Sequence, residues 1–172
     1  MSGVIAAPEL SPLTTSMGRL FDAVAALCAV APHSTYEGQA AVELEAAAAR
    51  CSDPGSYELD LLREVSGLAI DPRGAVRAAV ADLDAGVAVP AVAARFHAGV
   101  ADVTVRACLA VTKSRGLDTV VLSGGVFQNR RLLEAVAAAL HRAGLRVLIP
   151  RALPPNDGGI SFGQAAVAAA RM

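Results

Sequence analysis

Aromatic side chains are scarce in this 172-residue sequence, where they make up 3% of the residues, and tryptophan is absent. A core with so few rings has to be built mainly from alanine, valine and leucine, which suits helices packed closely on a sheet. The length corresponds to about one domain and is sufficient to bury a substantial core.

Cysteine and net charge are also low. Cys28, Cys51 and Cys108 are widely spaced and match neither a zinc motif nor a disulfide framework. We therefore expect them to be small buried hydrophobic residues in a reducing compartment. The formal net charge of −1 gives no electrostatic attraction to nucleic acid or to an anionic membrane, so neither is predicted as a partner.

Long apolar runs are missing as well. No window of about 18 uninterrupted apolar residues exists, so no membrane span is predicted. The first residues lack the charged start and apolar stretch of a signal peptide, which favours a soluble cytoplasmic protein. Residues 1–16 are predicted to form an extended lead-in, and a chain that begins in this way suits the tail of a longer polypeptide. Residues 17–172 are predicted to form a single domain.

The most informative stretch is a strand followed by a glycine turn and a helix. Residues 120–122 are apolar, a Ser-Gly-Gly turn follows, and Asn129 opens an amphipathic helix that runs to about Arg142. Glycines let a backbone approach a ligand, and the first N–H groups of a helix lack internal partners, so the arrangement suits an anion or nucleotide. It matches neither the Walker loop nor the dinucleotide fingerprint. The alternative is a tight turn with Asn129 as a simple N-cap.

The remaining periodicity predicts an α/β fold. Helices are expected over residues 17–30, 39–50, 72–85, 89–115, 129–142 and 160–171, and strands over 57–62, 65–70, 118–123 and 146–150. This order predicts a parallel or mixed sheet with crossover helices. The longest helix carries a core stripe made of Val92, Phe96, Val100, Val103, Ala107 and Val111. Both glycine turns follow the ends of strands, where ligands gather in such sheets.

Several polar residues have alternative interpretations. Asp22 lies roughly opposite the apolar stripe of the first helix. It is either a solvated surface carboxylate or a carboxylate that faces a cleft. Asp157 either caps the last helix or presents a carboxylate to a hard metal or to phosphates. His97 has no partner at metal-ligand spacing and is expected to be a hydrogen-bonded structural residue. Glu43 and Glu45 are expected to be ordinary solvated charges.

Five ordered motifs, which cover nearly the whole chain from about residue 11, resemble one family. They are SMGRLFDAVA at residues 16–25, YEGQAA at 36–41, ARFH at 94–97, SGGVFQN at 123–129 and PPNDGG at 154–159. Together they resemble the C-terminal, TsaD-like end of HypF, the carbamoyltransferase family of nickel–iron hydrogenase maturation. The TsaD family, which makes threonylcarbamoyladenosine in tRNA, shares the outline, but YEGQ and FQNR favour HypF. The resemblance implies one lobe of the actin, sugar-kinase and Hsp70 (ASKHA) superfold, a mixed sheet with packed helices.

The resemblance also implies which residues bind the nucleotide. Asp22 matches the aspartate that hydrogen-bonds the ribose, and Gly38 matches a glycine that lies against the nucleoside. Gly124 and Gly125 match the turn close to the adenylate, and Asn129 matches a nucleotide-contacting asparagine. No catalytic residue is identified.

A divalent metal, which would be iron, zinc or magnesium, is implied in the same way. Asp157 matches the metal-ligand aspartate of the family. The family's metal site also needs two histidines spaced four apart in the preceding lobe, and His33, His97 and His141 do not have that spacing. With one metal ligand and half a nucleotide cleft, the chain is expected to complete no transfer in isolation.

The implied function is part of a HypF-type carbamoyltransferase. It would bind ATP or carbamoyl adenylate and pass the carbamoyl group to the C-terminal cysteine of HypE, for synthesis of the hydrogenase cyanide ligands. The implied partners are a HypE-like acceptor and the missing HypF domains or first lobe. The alternatives are a non-catalytic adenine-nucleotide-binding module and an O-carbamoyltransferase lobe of natural-product synthesis. A homodimer through the apolar face that the first lobe normally covers is also possible.

Overall fold

The computed structural model describes residues 12–52, 55–65 and 67–172. Its helices are α1 (Met17–Leu27), α2 (Gln39–Ala48), α3 (Arg73–Asp84), α4 (Val89–Arg115), α5 (Arg130–Arg142) and α6 (Ile160–Ala170). Its strands are β1 (Asp60–Glu64), β2 (Gly67–Asp71), β3 (Thr119–Val121) and β4 (Arg146–Leu148). Short 3-10 turns span Gly125–Gln128 and Asp157–Gly159. The first eleven residues of the predicted lead-in lie outside the described residues, and residues 12–16 form neither helix nor strand.

The strands form two small sheets instead of the single mixed sheet that was predicted. Within the described residues, β1 pairs with β2 antiparallel, and β3 pairs with β4 parallel. A short connection joins β1 to β2, which produces a hairpin, whereas β3 and β4 are connected through α5, which permits parallel pairing. The α/β class is therefore correct, but the architecture consists of helices with small sheets.

Helix α4 has the bounds that the sequence predicts. It ends at Gly116, whose φ of 64° is the left-handed conformation that glycine adopts without strain. Val92 and Phe96 of the predicted core stripe are buried, but Val111 is 43% exposed. Val111 lies in the last two turns of α4, where its neighbour Thr112 is buried in its place.

The core lies where α1, α2, α4 and α5 meet. The rings of Phe21 and Phe96 contact edge to face, with centroids 4.9 Å apart and an interplanar angle of 72°. Around them the buried side chains are aliphatic and include Leu44 of α2 and Val136 and Leu140 of α5. The core is thus built from small aliphatic residues, as the composition predicts.

The cysteines behave partly as expected. Cys28 is buried in the core, whereas Cys51 and Cys108 are half-buried, and all three thiols are free. Burial raises the pKa of the Cys28 and Cys108 thiols, which favours the protonated form of both.

A close backbone crossing attaches the segment before β1 to α4. The Tyr57 amide donates to the Arg95 carbonyl over 3.2 Å, and a Cβ atom on Gly99 would overlap the Tyr57 carbonyl oxygen. The Tyr57 hydroxyl and the Arg95 guanidinium both donate to Asp82 of α3, each over 2.5 Å. Because Tyr57 bonds to a helix instead of to a strand, β1 begins at Asp60 and not at residue 57 as predicted.

Helix α6 differs from the other helices because every one of its residues is exposed. Its large apolar side chains Ile160, Phe162 and Val167 are more than half exposed. Among the described residues, no helix is both long enough and apolar enough to cross a membrane.

Candidate functional site

The two glycine turns meet at one edge of the β3–β4 sheet. Because the strands are parallel, their following turns emerge together, and the Gly124 amide donates to the Pro155 carbonyl over 2.7 Å. The Ser123 hydroxyl donates to the same oxygen over 3.4 Å. Gly124 has a φ of 102°, a conformation that side chains rarely adopt, so this turn requires glycine. The prediction that both glycine turns follow strands is confirmed, and the structure brings the two turns into contact.

A cleft of about 740 Å³ opens beside these turns. It is lined by Asp22, Gly38, Gly125, Asn129 and Asp157, five of the six positions singled out in the sequence. Gly124, the sixth, is not among the lining residues that the structure describes; it lies in the turn and holds the second turn in place. The volume falls within the range of about 300–1,000 Å³ that is common for small-molecule sites.

Asp22 reaches the cleft from α1. Ser16 caps this helix, since its hydroxyl accepts from the Arg19 amide, and Arg19 pairs with Asp22 over 3.0 Å. The Asp22 side chain is 30% exposed, and that exposed part lines the cleft wall. An accessible ion pair of this kind contributes about 1 kcal/mol or less, so a ligand can compete for the carboxylate.

Gly38 shapes the loop that leads into α2. Its φ of 82° is left-handed, and a Cβ atom there would meet nothing within 4 Å, so the conformation and not the space requires glycine. The Gln39 side chain accepts from the Thr35 amide over 2.7 Å and fixes the loop. A second cavity of about 410 Å³ shares Gly38, Arg19 and Asp22 with the first.

Asn129 is both an N-cap and a residue of the cleft wall. Its Oδ1 accepts from the Leu132 amide over 2.8 Å, as an N-cap of α5 should. Its Nδ2 lies 2.9 Å from Nε2 of His97, and Nδ1 of His97 lies 2.7 Å from the Ala93 carbonyl oxygen. Burial lowers the pKa of His97, which is 1% exposed. The expectation of a hydrogen-bonded structural histidine is confirmed.

The N-terminus of α5 is already occupied by the protein itself. The Arg131 amide donates to the Glu45 carboxylate over 2.8 Å, and the Leu132 amide donates to Asn129. Glu45 thus supplies a negative charge at this helix end, which the helix dipole favours. The expectation that Glu45 is an ordinary solvated charge is wrong, since it is half-buried and lines the cleft. Glu43 is half-buried as well.

Asp157 does not cap the last helix. Asn156 caps the second 3-10 turn by accepting from the Gly158 amide over 3.1 Å, and α6 follows Gly159 without a side-chain cap. Asn156 has the extended backbone that an N-cap requires, with φ −93° and ψ −166°, so the cap lies one residue before the predicted position. Asp157 is exposed and its side chain belongs to the cleft wall.

The cleft is rich in hydrogen-bond acceptors. Its charged lining residues are the acids Asp22, Glu37, Glu45 and Asp157 and the base Arg19. Such a wall suits hydroxyl and amino groups, whereas a phosphate group would be repelled unless a cation accompanied it. Within the described residues, no group of three or more histidine, cysteine or acidic side chains could hold a metal ion, so Asp157 has no complete ligand set around it here.

Sequence reasoning missed several polar residues of this wall, among them Arg19, Asn156 and Glu45. Arg19 was detectable, since a basic residue three positions before Asp22 on a helix is placed to pair with it. Asn156 was detectable as an Asx turn beside the glycine pair. Glu45 had no local signal, because its partner Arg131 comes 86 residues later.

Comparison with known proteins identifies the family and several relatives of this chain. The family model described as "Carbamoyltransferase, Kae1-like Domain, second subdomain" matches residues 4–164. Carbamoyltransferase HypF of Synechocystis sp. is 38% identical over 154 residues, which are 90% of this chain and 19% of that protein. Carbamoyltransferase HypF of Rhizobium leguminosarum bv. viciae is 41% identical over 165 residues, which are 92% of this chain and 20% of that protein.

A solved structure gives the same relationship in three dimensions. The crystal structure of full-length HypF in the phosphate- and nucleotide-bound form superposes with a TM-score of 0.84 at 41% identity. The match covers 89% of this chain and 20% of that one, so the chain spans about a fifth of the length of these relatives. By sequence and by structure, the chain belongs to the HypF carbamoyltransferase family, in which it corresponds to the second subdomain of the Kae1-like domain.

Proposed function

We propose that this chain is the nucleotide-binding subdomain of a HypF-type carbamoyltransferase and forms one wall of the site for carbamoyl adenylate or ATP. The observation that carries this proposal is the single cleft lined by Asp22, Gly38, Gly125, Asn129 and Asp157, which come from distant parts of the chain. The full-length HypF that was crystallised in a phosphate- and nucleotide-bound form is 41% identical to this chain over the matched fifth of its length, which supports the same ligand class here.

The chemistry of the wall suggests how the nucleotide lies. Asp22 accepts hydrogen bonds from ribose hydroxyls, and Gly38 and Gly125 let the nucleoside approach the backbone. The phosphate lies away from Glu45, because two negative groups in a cleft repel each other.

A divalent metal does not fit this chain alone. Asp157 offers one carboxylate, and the described residues bring no further pair of ligands to it. Iron, zinc or magnesium would therefore need ligands from another part of a longer protein, where the ion would supply Lewis-acid polarisation of the carbamoyl oxygen.

The proposed reaction is transfer of a carbamoyl group from an adenylate to sulfur. The C-terminal cysteine thiolate of a HypE-like acceptor attacks the carbamoyl carbon and forms a carbon–sulfur bond. The carbon–oxygen bond to AMP then breaks, and AMP leaves with the electron pair. This chain contributes to that step by binding the leaving AMP and orienting it.

Exposed α6 supports a requirement for another domain. Its apolar side chains Ile160, Phe162 and Val167 are more than half exposed among the described residues. The chain also corresponds to a second subdomain, so a first subdomain is expected beside it. We propose that the first subdomain packs against α6 and completes the cleft, in the two-lobed arrangement of the actin and sugar-kinase superfold. The chain alone then binds nucleotide but completes no transfer. Light scattering that shows a stable homodimer would instead assign α6 to a second copy.

The test is calorimetric titration of the 172-residue chain with AMP and with ATP, with and without magnesium. Wild type should bind AMP, and Asp22→Ala should weaken binding by about 10- to 100-fold, since a hydrogen bond to a charged group contributes about 1.5–3 kcal/mol. Asp84→Ala is the matched control, because Asp84 is an exposed carboxylate at the end of α3 and outside the cleft.

Two results would contradict the proposal. One is equal AMP affinity in wild type and Asp22→Ala, which would remove Asp22 from the ligand. The other is no binding of AMP or ATP by a chain that circular dichroism shows to be folded, which would mean that this wall does not make a site by itself.

A further inference from the structure

His97 lies behind the cleft wall and does not line the cleft. Its ring is 1% exposed and contacts the rings of Phe21 and Phe96 edge to face, with centroids 5.1 and 6.1 Å away. A ligand in the cleft therefore cannot touch His97, and any effect of this histidine on a ligand has to act through a neighbour.

The position of the proton on His97 follows from its partners. The Ala93 carbonyl oxygen can only accept, so Nδ1 carries the hydrogen and donates over 2.7 Å. In the neutral ring, Nε2 then has a lone pair and accepts from Nδ2 of Asn129 over 2.9 Å. Two charged groups act on the pKa of the ring in opposite directions: Arg131 of α5 lowers it and Glu45 of α2 raises it.

The Asn129 amide is consequently fixed at both ends. Its oxygen accepts from the Leu132 amide, and its nitrogen donates to His97. Reversal of the amide would place two donors together at Leu132 and two acceptors together at His97, and both arrangements leave buried polar groups unsatisfied.

We infer that His97 is a positioning residue, which orients the Asn129 amide so that Asn129 offers its remaining N–H to an acceptor atom of the nucleotide. The helix N-terminus alone orients only the amide oxygen, and His97 supplies the second fixed point. The acceptor is a ring nitrogen of the base or an oxygen of the ribose or phosphate. The identity of this ligand rests on the proposed function, whereas the positioning rests on the His97–Asn129 geometry.

A matched pair of variants separates positioning from packing. In His97→Gln the terminal amide reaches the position of Nε2 and can still accept from Asn129. In His97→Asn the shorter side chain reaches only the position of Nδ1 and keeps the bond to Ala93, so Asn129 loses its partner. The readouts are AMP affinity by calorimetry, thermal stability, and the side-chain amide signal of Asn129 in nitrogen-edited NMR, assigned by its loss in Asn129→Asp.

We expect His97→Gln to bind AMP within about threefold of wild type and His97→Asn to bind about tenfold more weakly, as for loss of one well-placed hydrogen bond. The Asn129 amide protons should exchange slowly in wild type and in His97→Gln but faster in His97→Asn. Equal amide exchange in the two variants would overturn the inference, as would equal AMP affinity. A slowly exchanging amide in a wild-type chain that binds no AMP would uphold the positioning and reject the proposed function.

Discussion

Nδ2 of Asn129 lies 2.9 Å from Nε2 of His97, although the two residues are 32 positions apart. The contact joins the middle of α4 to the N-cap of α5, and it links the ARFH and SGGVFQN motifs into one hydrogen-bonded unit. A change in the charge or hydrogen-bonding type of either residue must therefore affect both the core and the cleft.

Asn129→Asp should destabilise the chain, relative to wild type, by an amount that depends on pH. The carboxylate can still cap α5, but it places an acceptor against the Nε2 lone pair. At about pH 8 we expect a loss of about 1–3 kcal/mol in the free energy of unfolding, the cost of a buried polar mismatch. The loss should shrink toward about pH 6, because the new carboxylate favours protonated His97. Urea denaturation of wild type and Asn129→Asp at both pH values measures this difference in the free energy of unfolding.

The control for that variant is Asn156→Asp, which changes an N-cap in the same way at an exposed turn with no described histidine contact. The stability difference between Asn156→Asp and wild type should be about the same at the two pH values. An Asn129→Asp chain as stable as wild type at the higher pH would contradict the assigned tautomer of His97.

Wild-type stability should fall on mild acidification. Burial lowers the pKa of His97 below its ordinary value of 6.5, so the folded chain holds the ring neutral. As pH decreases below 6.5, the unfolded chain takes up the proton first, and the free energy of unfolding decreases. Urea denaturation between about pH 7.5 and 5 should reveal this slope, and His97→Gln should reduce it. An unchanged slope in that variant would assign the pH dependence to other groups.

Gly99→Ala should destabilise the chain strongly. The added methyl group would overlap the Tyr57 carbonyl oxygen, and backbone cannot move aside as a flexible side chain can. We expect a loss of about 1–3 kcal/mol or more, the usual cost of overpacking. Gly163→Ala in α6 is the matched control, since a Cβ there meets nothing within 4 Å and alanine favours a helix by about 0.5–1 kcal/mol. Thermal unfolding followed by circular dichroism compares the two, and equal melting of Gly99→Ala and wild type would contradict the crossing geometry.

Glu45→Gln should change the ligand preference of the cleft. The amide oxygen of the new side chain can still accept from the Arg131 amide, but one negative charge leaves the wall. We expect ATP without magnesium to bind about threefold more tightly, because the charge repulsion decreases, whereas adenosine should bind as before. Glu134→Gln, an exposed carboxylate elsewhere on α5, is the control. Equal gains for ATP and adenosine would mean that charge is not the cause.

Features that depend on neighbouring residues were predictable from the sequence. The end of α4 at Gly116 and the N-cap at Asn129 follow from local helix signals. The meeting of the two glycine turns follows from the parallel order of β3 and β4. The resemblance to one family selected cleft positions such as Asp22 because it combines information from distant motifs.

Features that depend on distant partners were not predictable in this way. The Glu45–Arg131 contact spans 86 residues and turns an apparently solvated acid into a helix cap. The division into two sheets depends on β1 and β2 packing as a hairpin apart from β3, which strand propensity does not encode.

Helix α6 has eleven residues, and none of them is buried. An isolated helix of that length is marginal in water, so its order rests on local backbone bonds that open without disturbing the core. Amide hydrogens of α6 should therefore exchange with solvent well before those of α4. The denaturation midpoint should reflect the unfolding of the rest of the chain, without a contribution from α6. A partner that covers α6 would convert an independently fraying segment into part of one cooperative unfolding unit.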